Sequence, residues 1–213
     1  MALDREVVVR AALRLLDEVG LDGLTLRKLA SELGVQAPAL YWHFKSKQDL
    51  LDEMSTTVFA DAIREFGMPA ESTAWSVWAI EFGNRLRQML LRYRDGAKMY
   101  SGRYLTDNAL FAPMEMALGK FMAAGFSMKD AASGLLTIYC YVVGFTIEQQ
   151  AVYPRPGEPD ERYDLEKRAK RLDSEKLPLA LAAGKDAFSH FDERFDQGLQ
   201  TIVRGLQPTA GIP

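Results

Sequence analysis

The chain has 213 residues, 48% hydrophobic and 26% charged, with 26 Lys and Arg against 29 Asp and Glu for a net charge of −3. That length allows one large domain or two modest ones around a sizeable core, and the composition excludes a disordered chain and a nonspecific polyanion binder. A single cysteine, Cys140, excludes an internal disulfide and a cysteine-rich zinc site and fits a reducing compartment, with the cytoplasm the expected location.

Helical periodicity runs from end to end with no stretch of alternating strand character, which predicts an all-α protein. Val7, Val8, Ala11, Ala12, Leu15, Leu16 and Val19 share one face of a first helix from about Asp4, closed by a turn at Gly20 and Gly23. The charged Asp4, Arg5 and Glu6 stand where a secretory leader would be apolar. Thr25 is placed to cap a second helix whose Leu26, Leu29, Ala30 and Leu33 fall on one side and whose Arg27, Lys28 and Glu32 fall off it. Gly34 supplies a left-handed turn, and Pro38 suits the first turn of a third helix starting near Gln36.

Ser46 and Asp49 form a capping box that opens a long helix through Leu50, Leu51, Met54, Val58 and Ile63 to about Phe66. The Gly67-Met68-Pro69 break then marks a boundary. Helices are expected near Ser72–Tyr93, Asp95–Ser101, Thr106–Ala124 and Ser127–Tyr153, with Gly125 stopping the third of them. No run reaches the ~18 apolar residues of a membrane span, and Thr137, Gly144 and Thr146 interrupt the most apolar stretch, which points to burial inside protein. Pro154, Pro156 and Pro159 make a loop, and the charged stretch from Glu161 to Lys176 reads as a short mobile helix, either a lid or a linker. A short helix near Leu177–Ala183 and a last one over Lys185–Leu206 finish the chain. Phe188, Phe191, Phe195, Leu199, Ile202, Val203 and Leu206 recur there at steps of three and four.

The second and third helices form a helix–turn–helix, the arrangement that places a short helix in the DNA major groove. Gln36, Tyr41, Trp42, His43, Lys45 and Lys47 are too many large polar or aromatic groups for so short a segment to bury. Gln pairs with adenine, Tyr, His and Lys reach phosphates, and the small Ala37, Pro38 and Ala39 let the helix approach base edges. The plain alternative is a packing motif in which Tyr41 and Trp42 are core aromatics. Arg27, Lys28, Lys45 and Lys47 against Glu32 concentrate positive charge on this segment.

With these residues laid out, the chain resembles the tetracycline-repressor family of bacterial transcription regulators. Gly23-Leu24-Thr25-Leu26-Arg27-Lys28-Leu29-Ala30 and Leu40-Tyr41-Trp42-His43-Phe44-Lys45-Ser46-Lys47 are similar to its DNA-binding segments. Arg94-Asp95-Gly96-Ala97-Lys98 is similar to its ligand-domain signature. Phe195-Asp196-Gln197-Gly198-Leu199 and Arg204-Gly205-Leu206 are similar to its last helix.

The resemblance implies a homodimeric repressor, released from a palindromic operator when a small molecule binds. It divides the chain into a helix–turn–helix DNA-binding domain over 1–46, a connecting helix over 47–66 and an effector-binding and dimerisation domain over 67–213. It places Thr25, Arg27, Gln36, Ala37, Pro38, Ala39, Tyr41, Trp42, His43 and Lys47 at the DNA. Gln36 and Ala37 replace a Glu-Gln pair that contributes to operator choice, so a different palindrome is expected. The two imidazoles and the carboxylate that hold a magnesium–tetracycline complex in the family fall on Tyr100, Cys140 and Glu148. Phenol and thiol are poor magnesium ligands, so neither a resident metal nor a metal-dependent tetracycline response is expected.

The effector site is expected among Phe82, Leu86, Tyr100, Arg103, Tyr104, Phe111, Met116, Leu135, Tyr139, Cys140 and Glu148, with the aromatics individually as apt to be core. Arg103 is either a clamp on an anionic ligand or half of a surface ion pair with Asp107. Met114, Met116, Met122 and Met128 read as gap fillers that would also suit a tolerant pocket. The phenylalanines of the last helix, with the Ser127–Tyr153 helix, are expected at a four-helix dimer seam. His43 and His190, the only histidines, lie far apart with no nucleophile or ligand spacing, and no phosphate loop or dinucleotide fingerprint is present, which argues against an enzyme. A helical binding or interaction protein with a vestigial helix–turn–helix is the remaining alternative.

Overall fold

A computed structural model of the chain describes residues 4–67, 70 and 72–208, with the backbone alone for Lys185. Met68 and Pro69, on which the expected boundary falls, lie outside the described residues. Those described are helical with no strand, apart from an isolated antiparallel bridge between Arg155 and Glu158.

Helix α1 spans Arg5–Gly23, and Asp4 caps it by accepting from the Val7 amide at 2.8 Å. Gly20 sits inside it at φ 71, a kink where a helix stop was expected. Helices α2 (Leu26–Glu32) and α3 (Ala37–Tyr41) follow, the first capped by Thr25, which accepts from the Lys28 amide at 3.1 Å. Between them Gly34 takes φ 66, a left-handed value that a side chain would resist. Helix α4 (Lys47–Phe66) opens on Ser46, whose hydroxyl accepts from the Asp49 amide at 3.1 Å. Val8, Val9, Ala12, Leu16, Leu29, Leu40, Phe44, Leu50 and Met54 close one core over these four helices.

The body consists of α5 (Trp75–Leu91), α6 (Gly96–Tyr100), α7 (Ala112–Ala123), α8 (Met128–Val152), α9 (Leu165–Arg171), α10 (Pro178–Ala187) and α11 (Phe191–Gly205). The Thr106–Ala124 helix is two pieces, a 3-10 turn over Asn108–Phe111 and then α7, because Pro113 lies in the first turn of α7 where its missing N–H costs nothing. The Lys185–Leu206 helix is likewise broken. His190 adopts φ 53, so α10 stops at Ala187 and α11 starts at Phe191. The charged stretch forms a turn over Glu161–Tyr163 and then α9, which packs on α10.

Helix α8 lies at the centre of the body, against α5, α6, α7 and α11. It is long and apolar enough by length and composition to cross a membrane, although Thr137, Gly144 and Thr146 interrupt its apolar run. Its inner side is covered by the neighbouring helices, and its outer side exposes Ser133, Thr137, Cys140, Gly144 and Glu148.

Phe191, Phe195 and Leu199 of α11 are core within one chain, which takes these three out of the expected seam, while Phe188 and Ile202 stay half-buried. Phe195 is fully buried, stacks on Tyr141 at 5.6 Å and meets Phe145 edge-on at 5.3 Å. Phe191 and Leu199 are also buried, and Phe188 packs on Tyr163 at 5.3 Å. Apolar positions at steps of three and four fit either fate equally, and α5 and α8 lie close enough to bury Phe191, Phe195, Leu199 and Val203.

Candidate functional site

The reader is built by burying the wrong-way residues and leaving the rest no room. Leu26, Leu29, Ala30, Leu40 and Phe44 fill the core between α2, α3 and α4. That commits Gln36, Pro38, Tyr41 and Trp42 to the outside, with Trp42 89% and Tyr41 56% exposed. The reading of these two as core aromatics is therefore overturned. Ala37, Ala39 and His43 are half-buried beside them, and Arg27, Lys28 and Lys45 are exposed on the flanks. Lys47 differs, because its ammonium donates to the Leu21 carbonyl at 2.6 Å and ties α4 to the end of α1. Thr25 is exposed with its hydroxyl engaged as the α2 cap.

Two sets of hydrogen bonds among the described residues tie reader to body, beside a longer bond of 3.5 Å from Arg155 to the Glu18 carbonyl. At the first, the Arg94 amide donates to Asp17 at 2.8 Å, the Arg94 guanidinium to the Glu18 carbonyl at 3.1 Å, and the Leu21 amide to the Asp95 carboxylate at 2.9 Å. Asp95 takes a left-handed φ of 55 to do so. At Gly96 a β-carbon would stand 2.2 Å from the Leu90 carbonyl oxygen, so the Arg94-Asp95-Gly96 sequence is a structural knot. Ala97 completes it by donating to buried Gln150 of α8 at 3.0 Å.

At the second, the 101–107 loop is laid along α4. The Thr106 hydroxyl donates to Glu53 at 3.1 Å and the Thr106 amide to Thr56 at 2.9 Å. Glu53 also accepts from Arg5 at 3.0 Å, and Arg5 in turn donates to the His43 carbonyl at the end of the third helix and lies 4.5 Å over the Phe44 ring.

Between α4, α5, α6, α7 and α8 lies a half-open cavity of about 450 Å³. Six of the expected residues reach it on these elements and one more from the 3-10 turn: Phe82, Leu86, Tyr100, Met116, Leu135, Tyr139 and Phe111. Met114, read as a gap filler that would also suit a pocket, lines it too; Phe59, Phe66, Trp78, Met89, Leu105 and Leu110 also line it and were missed, although Trp78, Phe82 and Leu86 with Met89 trace one helical face of α5. Its charged lining consists of Glu81 and Arg85, which pair with each other one turn apart. Burial raises the Tyr100 and Tyr139 phenols above their ordinary range, so both are neutral at physiological pH.

Four of the expected ligand residues lie elsewhere. Arg103 donates to the Met99 carbonyl at 3.0 Å and to Gln48 of α4, so it is a strut between α6 and α4; it neither clamps the cavity nor pairs with Asp107. Tyr104 is 68% exposed. Cys140 and Glu148 face outward from α8 while Tyr100 faces the cavity, so the three positions that would hold magnesium are not brought together in the chain. A neutral buried phenol, an outward thiol and an outward carboxylate do not fit an ion that demands near-octahedral oxygen ligands.

An exposed aromatic reader hydrogen-bonded to a helical body with a half-open apolar cavity is the layout of a ligand-responsive DNA-binding regulator. The family model described as "Bacterial regulatory proteins, tetR family" matches residues 8–54, and the one described as "Tetracyclin repressor-like, C-terminal domain" matches residues 68–210. The class A tetracycline repressor of transposon 1721 from Escherichia coli is 41% identical over 206 residues, covering 96% of this chain and 90% of its own. Among solved structures, a possible TetR family regulator from Streptomyces coelicolor A3(2) is 33% identical with a TM-score of 0.82, covering 95% of this chain and 98% of its own. A TetR variant from Acinetobacter baumannii AYE in complex with minocycline is 34% identical with a TM-score of 0.75, covering 99% and 100%. The chain belongs to the TetR family of transcriptional regulators, and its activity is regulation and not catalysis.

Proposed function

We propose that this chain works as a cytoplasmic homodimeric repressor that holds a near-palindromic operator and leaves it when a small molecule fills the cavity. Residues 1–46 read DNA, 47–66 carry movement, and 67–213 bind the effector and the second copy. Trp42, Gln36 and the small Ala37–Ala39 surface meet the bases, and Arg27, Tyr41, His43 and Lys47 meet or position the backbone. The outer face of α8, with Ser133, Thr137, Cys140 and Gly144, is small and flat enough for a twofold mate to approach closely, and α11 lies beside it. Two readers on such an axis would sit about one turn of DNA apart.

One observation carries the switch. Leu105 lines the cavity, and the next residue, Thr106, begins the chain of contacts through Glu53 and Arg5 to the His43 carbonyl. A ligand that displaces Leu105 therefore acts on the backbone of the reading helix through three side chains. The effector presents an apolar, ring-bearing body to this cavity, because Phe82, Leu86, Met116 and Leu135 offer that body no ionic partner.

Because a phenol and a thiol stand at two of the three magnesium positions, minocycline with magnesium is expected to leave the protein on its operator at micromolar drug. Mobility shift on the promoter beside its own gene, with competitor DNA and a salt series, tests binding and release together. Release at micromolar minocycline that requires magnesium would overturn the metal-free reading. A monomer at micromolar concentration by light scattering would overturn the twofold arrangement.

A further inference from the structure

A second hollow, of about 740 Å³, runs along the outside of α5 and α11. Its polar lining includes Ser76, Asn84, Gln88, Gln200 and Arg204. Phe66, Glu81 and Arg85 line both this groove and the inner cavity, so they form the wall between the two. The inner chamber accepts apolar surface but strongly disfavours an ionic group, which would lose its water without gaining partners. The outer one is open and mixed in lining, with Phe66, Val77, Ile80 and Val203 beside its polar groups, and is edged by two guanidinium groups against one carboxylate.

Arg85 is the pivot of that wall. Its Nη1 donates to the carbonyls of Phe66 at 3.0 Å and Gly67 at 3.3 Å, the last of α4, and its Nη2 donates to Glu81. The guanidinium also lies 5.6 Å over the Phe66 ring, which holds its plane at the opening. Its Nε–H bonds to no described residue, so a carboxylate arriving from the groove finds one donor unused and a second shared with Glu81. Arg204 donates to Gln200 at 3.1 Å, which lays its guanidinium along the same groove. The excess of positive charge selects an anion.

We infer that the groove is the outer chamber of the effector site, and that it takes the carboxylate of a ligand whose polycyclic or aromatic body occupies the inner cavity. This rests on the reading of the inner cavity as the effector site. Arg85 recognises the carboxylate and Glu81 swings aside. Since the same guanidinium caps the end of α4, occupancy of the groove is felt by the helix that carries the reader.

The test uses the full chain and two fluorescent probes, pyrenebutyrate and its uncharged amide, titrated to give a dissociation constant for each. The carboxylate should bind about tenfold more tightly than the amide, the worth of one charge-assisted contact at a partly open site. Arg85→Gln should bring that ratio to about one, and Arg204→Gln should narrow it about threefold by removing the longer-range attraction. Arg204 is exposed and caps no helix, so its variant keeps the test decisive if Arg85→Gln fails to fold. Equal affinities in the parent chain, or a ratio that survives both substitutions, would overturn the carboxylate chamber and leave the inner cavity standing. Leu135→Trp, which fills the inner cavity, should abolish binding of both probes. If it leaves amide binding intact, or neither probe binds the parent, the effector reading falls and this inference with it.

Discussion

The reader and the body treat aromatic side chains in opposite ways. On the reader, Trp42 and Tyr41 project outward while Phe44 beneath them is fully buried. In the body and the end of α4 beside it, Phe59, Phe66, Trp78, Phe82, Tyr100 and Tyr139 turn inward and still leave a hollow. Each region leaves apolar surface uncovered, the first against a surface that arrives from outside and the second against a molecule small enough to be swallowed. Neither arrangement is explained by stability alone, since packed interiors rarely leave such space and exposed indoles contribute little to folding.

The largest effect expected from this contrast is at Trp42. Trp42→Ala should lower operator affinity by about 2 kcal/mol or more, roughly thirtyfold, with little change in thermal midpoint. Fluorescence anisotropy on a labelled duplex beside a melting curve measures both; a loss of stability with operator affinity retained would make Trp42 structural and break the contrast. A middle-sized effect is expected at Glu53, where the body meets the reader. Glu53→Gln keeps the shape but loses the charge shared by Arg5 and Thr106, and should weaken operator binding about threefold to tenfold. Affinity equal to the parent would remove Glu53 from the connection.

The smallest effect is at Asp61, which ties α4 to α1 through Arg10. The hydrogen bond from Arg10, before any other influence, holds its carboxyl below the usual carboxylate range. A carboxyl depressed in the fold adds stability above its unfolded value and loses it as pH falls through the folded value. Asp61→Asn should therefore cost about 1 kcal/mol or less at neutral pH, and the gap should close in acid. Urea melts at the two extremes check this, and a gap that widens on acidification would refute it.

The difference between the regions also decides what the sequence discloses. The reader is local: caps at Thr25 and Ser46, the Gly34 turn and Pro38 specify it within two dozen residues, and only the fate of Tyr41 and Trp42 needed coordinates. The cavity is assembled from five separated helices, and no sequence window contains it. Successive helix positions diverge by about 100°. Tyr139 consequently enters the cavity while its neighbour Cys140 faces away, and matching a position by resemblance does not fix which way it looks. Arg103 was misplaced for a related reason, since its charge is legible but its reach to Gln48, 55 positions away, is not. The breaks at Pro113 and His190 escaped because apolar spacing continues across both.

The Arg94–Gly96 knot bears on how such regulators can be recombined. Asp17, Glu18 and Leu21 belong to the first helix, yet they hold a loop of the effector half. A chimera that grafts a foreign operator-recognition module onto this chain by cutting after residue 46 would import a foreign residue at position 17, whose carboxylate makes the one of these three contacts that depends on a first-helix side chain, Glu18 and Leu21 contributing backbone groups. A graft limited to the surface of the third helix leaves the anchorage in place, so new operator choice is most safely engineered by exchanging Gln36 to His43 alone.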